Sequence, residues 1–324
     1  MLRIGILGAA GIAPAAVIRP AGRRSDVKVL AVASRRADGA RQYAERHGIE
    51  RFYGDYASLL ADADIDLVYN ALPPSLHAEW SIAALEAGKH VLCEKPFAMN
   101  AAEAAQMLQA AQSTGYRLIE AFHDRYHPLS AELDAVKSSG VLGEIKVLRA
   151  DFSSTNPFNP ASLRHDPHWG GGSLMDLGCY PVHWVRAFMG EEPHVLGASA
   201  TLNPLGADLS VSADLQFPSG AKALVTSAML EQPHHLNSSF EVTGSEAHLL
   251  VNNMVFPSRG HSITLTAKGL DRSWTVRGLE TYDHQLEAVV SALQSGAKLP
   301  TEGSDSLSNM ALIDAIYLAA GVNR

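Results

Sequence analysis

Residues Arg3 to Ala13 read RIGILGAAGIA and contain the signal that sets the fold class of this chain. The segment begins with an apolar run, Arg3 to Leu7, that is typical of a buried strand, and Gly8 then starts a turn of small side chains. A helix-like segment from Pro14 to Ala21 follows at once. A strand, a glycine turn and a helix in this order are the context that a dinucleotide-binding fingerprint requires.

The turn departs from the G-x-G-x-x-G/A pattern at its second glycine, where Ala10 stands and Gly11 comes one place late. Small side chains at these places let the backbone approach a pyrophosphate, and a helix N-terminus offers N–H groups to it. We therefore predict that Gly8, Ala10, Gly11, Ile12 and Ala13 bind a cofactor. The alternative is a glycine turn that binds no ligand.

A second predicted strand, Val27 to Ala33, ends at Ser34, Arg35 and Arg36. NAD-binding folds usually carry an acidic residue about 20 residues after the glycine turn, where it holds the ribose 2′-hydroxyl. This chain has a hydroxyl and two guanidinium groups there, and arginine recognises phosphate with a fork of donors. We predict NADP(H) rather than NAD(H), bound by these three residues. The alternative is that Arg35 and Arg36 form a solvated helix start. That placement is unfavourable, because their charges would lie near the positive end of the helix without an anion.

Strand-like and helix-like segments alternate through about residue 122, which predicts an α/β fold with a doubly wound parallel sheet. Ligands of such sheets bind outside the carboxyl ends of the strands. The third strand ends near Leu72 and Pro73, with His77 shortly after, and the fourth delivers Glu94 and Lys95. We predict that all five contact the cofactor and that Lys95 also binds a substrate oxygen. The alternative for Lys95 is a solvated loop lysine.

Length and charge narrow the class of protein. At 324 residues the chain suits two domains, and a net charge of −8 with no block of five like charges disfavours nucleic acid or an anionic membrane as partner. No apolar run approaches the roughly 18–20 residues of a membrane span. Two cysteines cannot form a disulfide framework, and the fourteen histidines lack a ligand set at metal spacing. We expect a cytoplasmic protein without a metal.

From about residue 123 the pattern changes to a mostly antiparallel sheet. A helix near Leu129–Ser138 and a strand from Glu144 to Phe152 precede several β-like runs, and two helices close the chain. The β-like runs are His194–Leu202, Leu209–Phe217, Ala221–Met229, Ser239–Thr243, His248–Val251, Ile263–Ala267 and Trp274–Arg277. We predict a dinucleotide-binding Rossmann domain, 1–122, and an α+β domain for substrate binding and oligomerisation, 123–324.

Several motifs together resemble the Gfo/Idh/MocA family of oxidoreductases over essentially the whole chain. The motifs are the Gly8–Ala13 turn, PPSLH at 73–77, EKP at 94–96, EAF at 120–122 with Arg125 and His127-Pro128, and the glycine-rich segment 164–183. The resemblance implies hydride transfer with a nicotinamide cofactor and a lysine, Lys95, close to the substrate hydroxyl. It also implies a cis Lys95–Pro96 bond and a homodimer or homotetramer formed through the second sheet.

Asp176 and Tyr180 stand four residues apart and so on one face of a helix. Tyrosine at the second position resembles the branch with glucose–fructose oxidoreductase, dimeric dihydrodiol dehydrogenase and NADP-dependent xylose dehydrogenase; histidine is more common in the family. A tyrosine, of pKa about 10, works at neutral pH only beside a cation. The resemblance implies Lys95 and Tyr180 as the catalytic acid/base unit, with Asp176 also catalytic as the group that orients a substrate hydroxyl. One alternative is that Asp176, three residues after Ser173, only caps the helix N-terminus. The other is that Tyr180 is a core aromatic residue.

The expected substrate is a sugar or related polyol, bound by Lys95, Arg125, Arg164, Asp176 and Tyr180. Other open interpretations are a trans-dihydrodiol dehydrogenase, a deoxysugar keto-reductase and, from another class, a cofactor-binding regulatory protein. The sequence leaves open the sugar, the carbon, the physiological direction and whether the cofactor leaves after each turnover.

Overall fold

The computed structural model describes residues 1–323, which form two compact units. Unit 1 comprises Met1–Phe122 and Tyr282–Leu307, and unit 2 comprises His123–Thr281 and the residues from Ser308 onward. The sequence analysis assigned everything after residue 122 to the second domain, so Tyr282–Leu307 is a departure from that division. The physical reason is apolar burial, because Leu286 belongs to the same hydrophobic cluster as the strands of unit 1.

The sheet of unit 1 has six parallel strands in the order β3-β2-β1-β4-β5-β6. They are β1 (Leu2–Leu7), β2 (Val27–Ala33), β3 (Arg51–Tyr53), β4 (Leu67–Asn70), β5 (His90–Cys93) and β6 (Leu118–Glu120). Every residue of β4 is buried, as expected of a parallel strand covered on both faces. The predicted doubly wound sheet is confirmed, and its order reverses between β1 and β4. The short edge strand β3 was not predicted, because three partly exposed residues carry no periodic signal.

Five helices of unit 1 connect these strands. They are α1 (Arg19–Gly22), α2 (Ala37–His47), α3 (Tyr56–Leu60), α4 (His77–Glu86) and α5 (Ala101–Thr114). Asn100 caps α5, since its side chain accepts a hydrogen bond from the Glu103 N–H at 2.9 Å. Ser75, although a good capping residue type, does not cap α4. A 3₁₀ turn over Pro74–Leu76 precedes that helix, and the buried Ser75 Oγ has no hydrogen-bond partner within residues 1–323.

Unit 2 is built on an eight-stranded sheet in the order β14-β13-β12-β11-β7-β10-β9-β8. Its elements in chain order are α6 (Pro128–Ser138), β7 (Ile145–Thr155), α7 (Cys179–Met189), β8 (His194–Leu202), β9 (Asp208–Gln216), β10 (Lys222–Leu230), β11 (Leu236–Gly244), β12 (Ala247–Asn252), β13 (Ser262–Ala267) and β14 (Leu270–Trp274). All neighbours pair antiparallel except β7 and β10. The predicted mostly antiparallel sheet is confirmed.

Helix α7 packs its apolar side chains against this sheet. The rings of Phe188 on α7 and Phe240 on β11 meet edge to face at 5.2 Å, and Tyr180 meets Phe152 of β7 at 5.6 Å. The two closing helices are α8 (Thr281–Ser295) and α9 (Ser304–Ala319). In the part of the chain that the structure describes, we find no helix with the length and apolarity of a membrane span.

Candidate active-site residues

The turn after β1 requires glycine at its first position. Gly8 has φ +95°, a conformation that side chains with a Cβ rarely adopt. A Cβ at Gly8 would lie 3.1 Å from Leu72 Cδ2 and 3.3 Å from the Ala71 carbonyl oxygen. The loop after β4 therefore lies directly against this turn. By contrast, a Cβ at Gly11 would meet no atom within 4 Å.

The same turn offers backbone donors. Within residues 1–323, the N–H groups of Ala10, Gly11 and Ile12 donate to no protein acceptor. The Ala10 carbonyl is held from the other side by the Tyr43 hydroxyl, which donates to it at 2.9 Å. Burial raises the pKa of Tyr43 to about 12, so this hydroxyl remains a donor. Successive free N–H groups in one turn form a concavity that fits the pyrophosphate of a dinucleotide.

The end of β2 presents two free cations. Arg35 and Arg36 are both exposed, and in the described part of the chain neither guanidinium forms an ion pair or a side-chain hydrogen bond. Arg51 of the same unit, by contrast, pairs with Asp62 at 2.8 Å. The backbone of Ser34 is anchored by donation from its N–H to the Tyr53 carbonyl at 3.2 Å. This end of the strand therefore fits a phosphate group, which would supply the missing acceptors.

The loop after β5 carries Glu94 and Lys95. Glu94 Oε1 accepts a hydrogen bond of 2.5 Å from the hydroxyl of the fully buried Tyr69. Burial, and secondarily the Glu94 charge, raises the pKa of Tyr69 far above its usual range, so Tyr69 stays the donor. Lys95 is half-buried, and its bond to Pro96 is cis, as the resemblance implied.

His77 connects the loops after β4 and β5. Its Nδ1 lies 2.9 Å from the Pro96 carbonyl oxygen and its Nε2 lies 2.8 Å from that of Leu72. Burial lowers the pKa of His77 to about 4, so the ring is neutral near pH 7 and donates to only one of the two carbonyls. Both nitrogens face protein atoms, so His77 shapes these loops through the backbone.

In unit 2, Tyr180 lies at the start of α7 with only 3% of its surface exposed. Its hydroxyl is 3.1 Å from Nε2 of His123, and Nδ1 of His123 is 2.7 Å from the Thr281 hydroxyl. The sequence analysis considered the histidines, His123 among them, only as possible metal ligands. Its place directly after the EAF motif was the available signal, but no spacing rule connects it with Tyr180.

Asp176 lies in a π-helical turn, Leu174–Gly178, that leads into α7. π-Turns inside helices occur frequently at functional sites. Asp176 Oδ2 is 3.4 Å from Nε of Arg164, so the structure brings these two predicted residues together. The capping alternative is not observed, since Ser173 makes no side-chain cap and instead donates to Asp208 at 2.7 Å.

Arg125 is engaged elsewhere. Both of its terminal nitrogens lie 3.1 Å from Asp134 Oδ2 of α6. The structure therefore pairs this predicted substrate residue with a carboxylate of its own unit. Among residues 1–323, no group of three His, Cys, Asp or Glu side chains has the arrangement of a metal site.

Comparisons with known proteins show the family to which this chain belongs. The model of the oxidoreductase family with an NAD-binding Rossmann fold, GFO_IDH_MocA, matches residues 2–122, and the model of the GFO/IDH/MocA C-terminal domain matches residues 131–250. The D-xylose 1-dehydrogenase (NADP(+)) 2 of Haloferax volcanii is 36% identical over 98% of this chain and 97% of that protein. The trans-1,2-dihydrobenzene-1,2-diol dehydrogenase of Xenopus tropicalis is 35% identical over 63% of this chain and 62% of that protein.

A solved structure agrees over nearly the full length. The 3-ketoreductase KijD10 from Actinomadura kijaniata, crystallised with NADP and TDP-benzene, superposes with a TM-score of 0.90 at 30% identity, covering 98% of this chain and 97% of that chain. The chain therefore belongs to the Gfo/Idh/MocA family of oxidoreductases, as the resemblance implied. It is a nicotinamide-dependent oxidoreductase with a Rossmann unit.

Proposed function

We propose that this protein is an NADP(H)-dependent oxidoreductase that transfers a hydride between nicotinamide and a carbinol or carbonyl carbon of a sugar or related polyol. The observation that carries the proposal is the polar set of unit 2, in which Tyr180 bonds to His123 and Asp176 pairs with Arg164. Hydroxyl-rich substrates are recognised by such hydrogen-bonding groups, which reject analogues that leave them unpaired.

Unit 1 is the dinucleotide-binding domain in this proposal. The N–H groups of the Gly8–Ala13 turn would hold the pyrophosphate, and Ser34, Arg35 and Arg36 the 2′-phosphate. Support for NADP(H) comes from the two guanidinium groups without a protein partner in the described chain, and from relatives whose names or structures include NADP. When bound, the cofactor supplies the hydride acceptor or donor.

The proton chemistry belongs to Lys95 and Tyr180. In the oxidation direction ionised Tyr180 takes the proton of the substrate hydroxyl, and the bound cofactor would accept the hydride from the same carbon. The resemblance gives Lys95 as the cation that stabilises the negative charge developing on the substrate oxygen. Asp176 orients a second hydroxyl of the substrate, with Arg164 holding its carboxylate. Coupling between Lys95→Met and Tyr180→Phe in a double-mutant cycle would show that the two act as a unit, and strictly additive losses would contradict it.

The test of the whole proposal is a substrate panel followed through the absorbance of reduced nicotinamide, with NADP⁺ and separately NAD⁺. Aldoses, deoxysugars, cyclitols and trans-dihydrodiols should be offered as alcohols, and keto sugars with NADPH. We expect turnover with one sugar or polyol class and NADP⁺. Turnover confined to trans-dihydrodiols would instead establish the activity named for the Xenopus relative. Cofactor binding without turnover on every member would favour a regulatory protein.

We also propose that unit 2 forms a homodimer or homotetramer through its sheet. The support is a set of exposed apolar side chains on its strands, among them Leu196 on β8 and Leu236 on β11, each 52% exposed. Light scattering of the purified protein tests this, and a clean monomer at micromolar concentration would contradict it.

A further inference from the structure

The hydroxyl of Tyr180 belongs to a buried hydrogen-bonded chain. His123 Nε2 is 3.1 Å from it, and His123 Nδ1 is 2.7 Å from the Thr281 hydroxyl. The exposed fractions are 3% for Tyr180, 2% for His123 and 1% for Thr281. A chain of this kind, closed off from solvent, holds its members in one arrangement.

The imidazole of His123 is oriented from several sides. Its ring stacks on Phe256 with a centroid distance of 5.9 Å and an interplanar angle of 26°. It meets the Tyr180 ring nearly edge to face at 5.8 Å. With both ring nitrogens directed at hydroxyl groups, rotation of the ring would break two hydrogen bonds at once.

The carboxylate next to His123 has another partner. Asp124, the next residue, is buried, and its Oδ2 accepts a 2.7 Å hydrogen bond from the Trp184 indole. Burial raises the pKa of Asp124, while the His183 and Arg125 charges oppose that rise. None of these three groups lies in the chain from Tyr180 to Thr281.

A neutral imidazole has one N–H and one acceptor nitrogen. If the Thr281 hydroxyl donates to Nδ1, the proton stays on Nε2, and this N–H donates to the oxygen of Tyr180. Donation to a phenolate oxygen favours the ionised form of tyrosine. The hydroxyl that fixes the tautomer of a histidine thereby acts on the group at the other ring nitrogen.

We propose that His123 is a positioning residue that holds Tyr180 and favours its ionised form, and that Thr281 fixes the tautomer required for this. The inference rests on the proposed function, in which Tyr180 exchanges a proton with the substrate oxygen. In the oxidation direction kcat/KM rises with pH as Tyr180 ionises. Loss of the His123 donor therefore moves the midpoint of that rise to higher pH.

The experiment measures kcat/KM for oxidation against pH in two matched pairs of variants. His123→Leu removes the ring nitrogens, whereas His123→Gln keeps an amide that donates in place of Nε2. Thr281→Val removes the hydroxyl at constant shape, whereas Thr281→Ser keeps it. We expect the Leu variant to move the midpoint up by about one to two pH units and the Val variant by less, with recovery in the Gln and Ser variants. Midpoints equal to that of the unaltered protein in both the Leu and Val variants would overturn the inference.

A second readout separates this inference from the proposed function. Ultraviolet difference titration follows tyrosine ionisation without substrate, with Tyr180→Phe as the blank in each background. The Tyr180 titration should move to higher pH in the Leu and Val variants, and an unchanged titration would overturn the inference. If Tyr180→Phe instead retains full turnover, the proposed function fails, while the titration still reports the effect of His123. Should His123→Leu not fold, the Gln variant and the Thr281 pair carry the test.

Discussion

The two units offer polar groups to their proposed ligands in opposite ways. In unit 1 the N–H groups of Gly11 and Ile12 and the guanidinium of Arg35 have no protein acceptor within residues 1–323. In unit 2 the hydroxyl of Tyr180 and the imidazole of His123 are buried and bonded to each other. The first arrangement suits an anionic ligand that brings its own acceptors. The second suits a reaction whose geometry is set before the substrate arrives.

The largest expected effect is a loss of kcat on removal of the Tyr180 hydroxyl in unit 2. Tyr180→Phe removes one hydroxyl and should lower kcat by about 10²–10⁴-fold, the usual contribution of general acid–base catalysis. The Kd for NADPH should stay unchanged. Steady-state kinetics and fluorescence titration measure the two quantities. Tyr317→Phe is the matched control, because it also removes a buried hydroxyl, one that donates to Asp208 at 2.7 Å.

The control should lower the melting temperature while leaving kcat within a few-fold of its normal value. If Tyr180→Phe behaves like the control, with lower stability and full turnover, then Tyr180 is a core aromatic and the acid/base assignment is wrong.

The next effect tests the free cations of unit 1. Replacing Arg35 and Arg36 by alanine should weaken NADPH binding by about 10–100-fold. This is the usual effect of losing the charge-assisted hydrogen bonds to one phosphate group. NADH binding should change little, because NADH lacks the 2′-phosphate. Arg46→Ala is the control, since Arg46 is an exposed arginine in the last turn of α2. Equal losses for NADPH and NADH would remove the preference for NADP(H).

A third prediction concerns the backbone of the turn rather than its charges. Gly8→Ala should destabilise unit 1 by about 1–2 kcal/mol, because alanine is strained at positive φ and its Cβ would press on the loop after β4. Gly11→Ala is the matched control, since a Cβ there meets open space. Melting temperatures without cofactor compare the two. A larger loss in the Gly11 variant would contradict the account of this turn.

The smallest effect is at the exposed edge of the unit 2 site. Arg164 is 64% exposed in its side chain, so its pair with Asp176 contributes less than about 1 kcal/mol to stability. Arg164→Met should leave the melting temperature unchanged and raise KM for the substrate several-fold through a less restrained Asp176. Asp176→Asn should also raise KM and lower kcat as well. Unaltered kinetics in both variants would exclude this pair from substrate binding.

Where sequence patterns are local, they predicted the structure well. The strands β2 and β8 lie at the predicted residues, and the sheets have the predicted pairing. The short strand β3 and the 3₁₀ turn before α4 were missed, because three-residue elements are set by their neighbours. The packing of Tyr282–Leu307 with unit 1 was also missed, since an amphipathic helix does not indicate which core its apolar face will join.

The sequence by itself determined the Rossmann turn, the class of both sheets and the family, since these depend on periodicity and on motifs of adjacent residues. Only the tertiary structure decided that His123 meets Tyr180, 57 residues away, and Thr281, 158 residues away. It also decided that Arg125 turns to Asp134 and that Arg164 turns to Asp176. Such pairs depend on how α7 and the loops pack on the sheet. The sequence around a histidine or an arginine does not indicate which distant residue will be its partner.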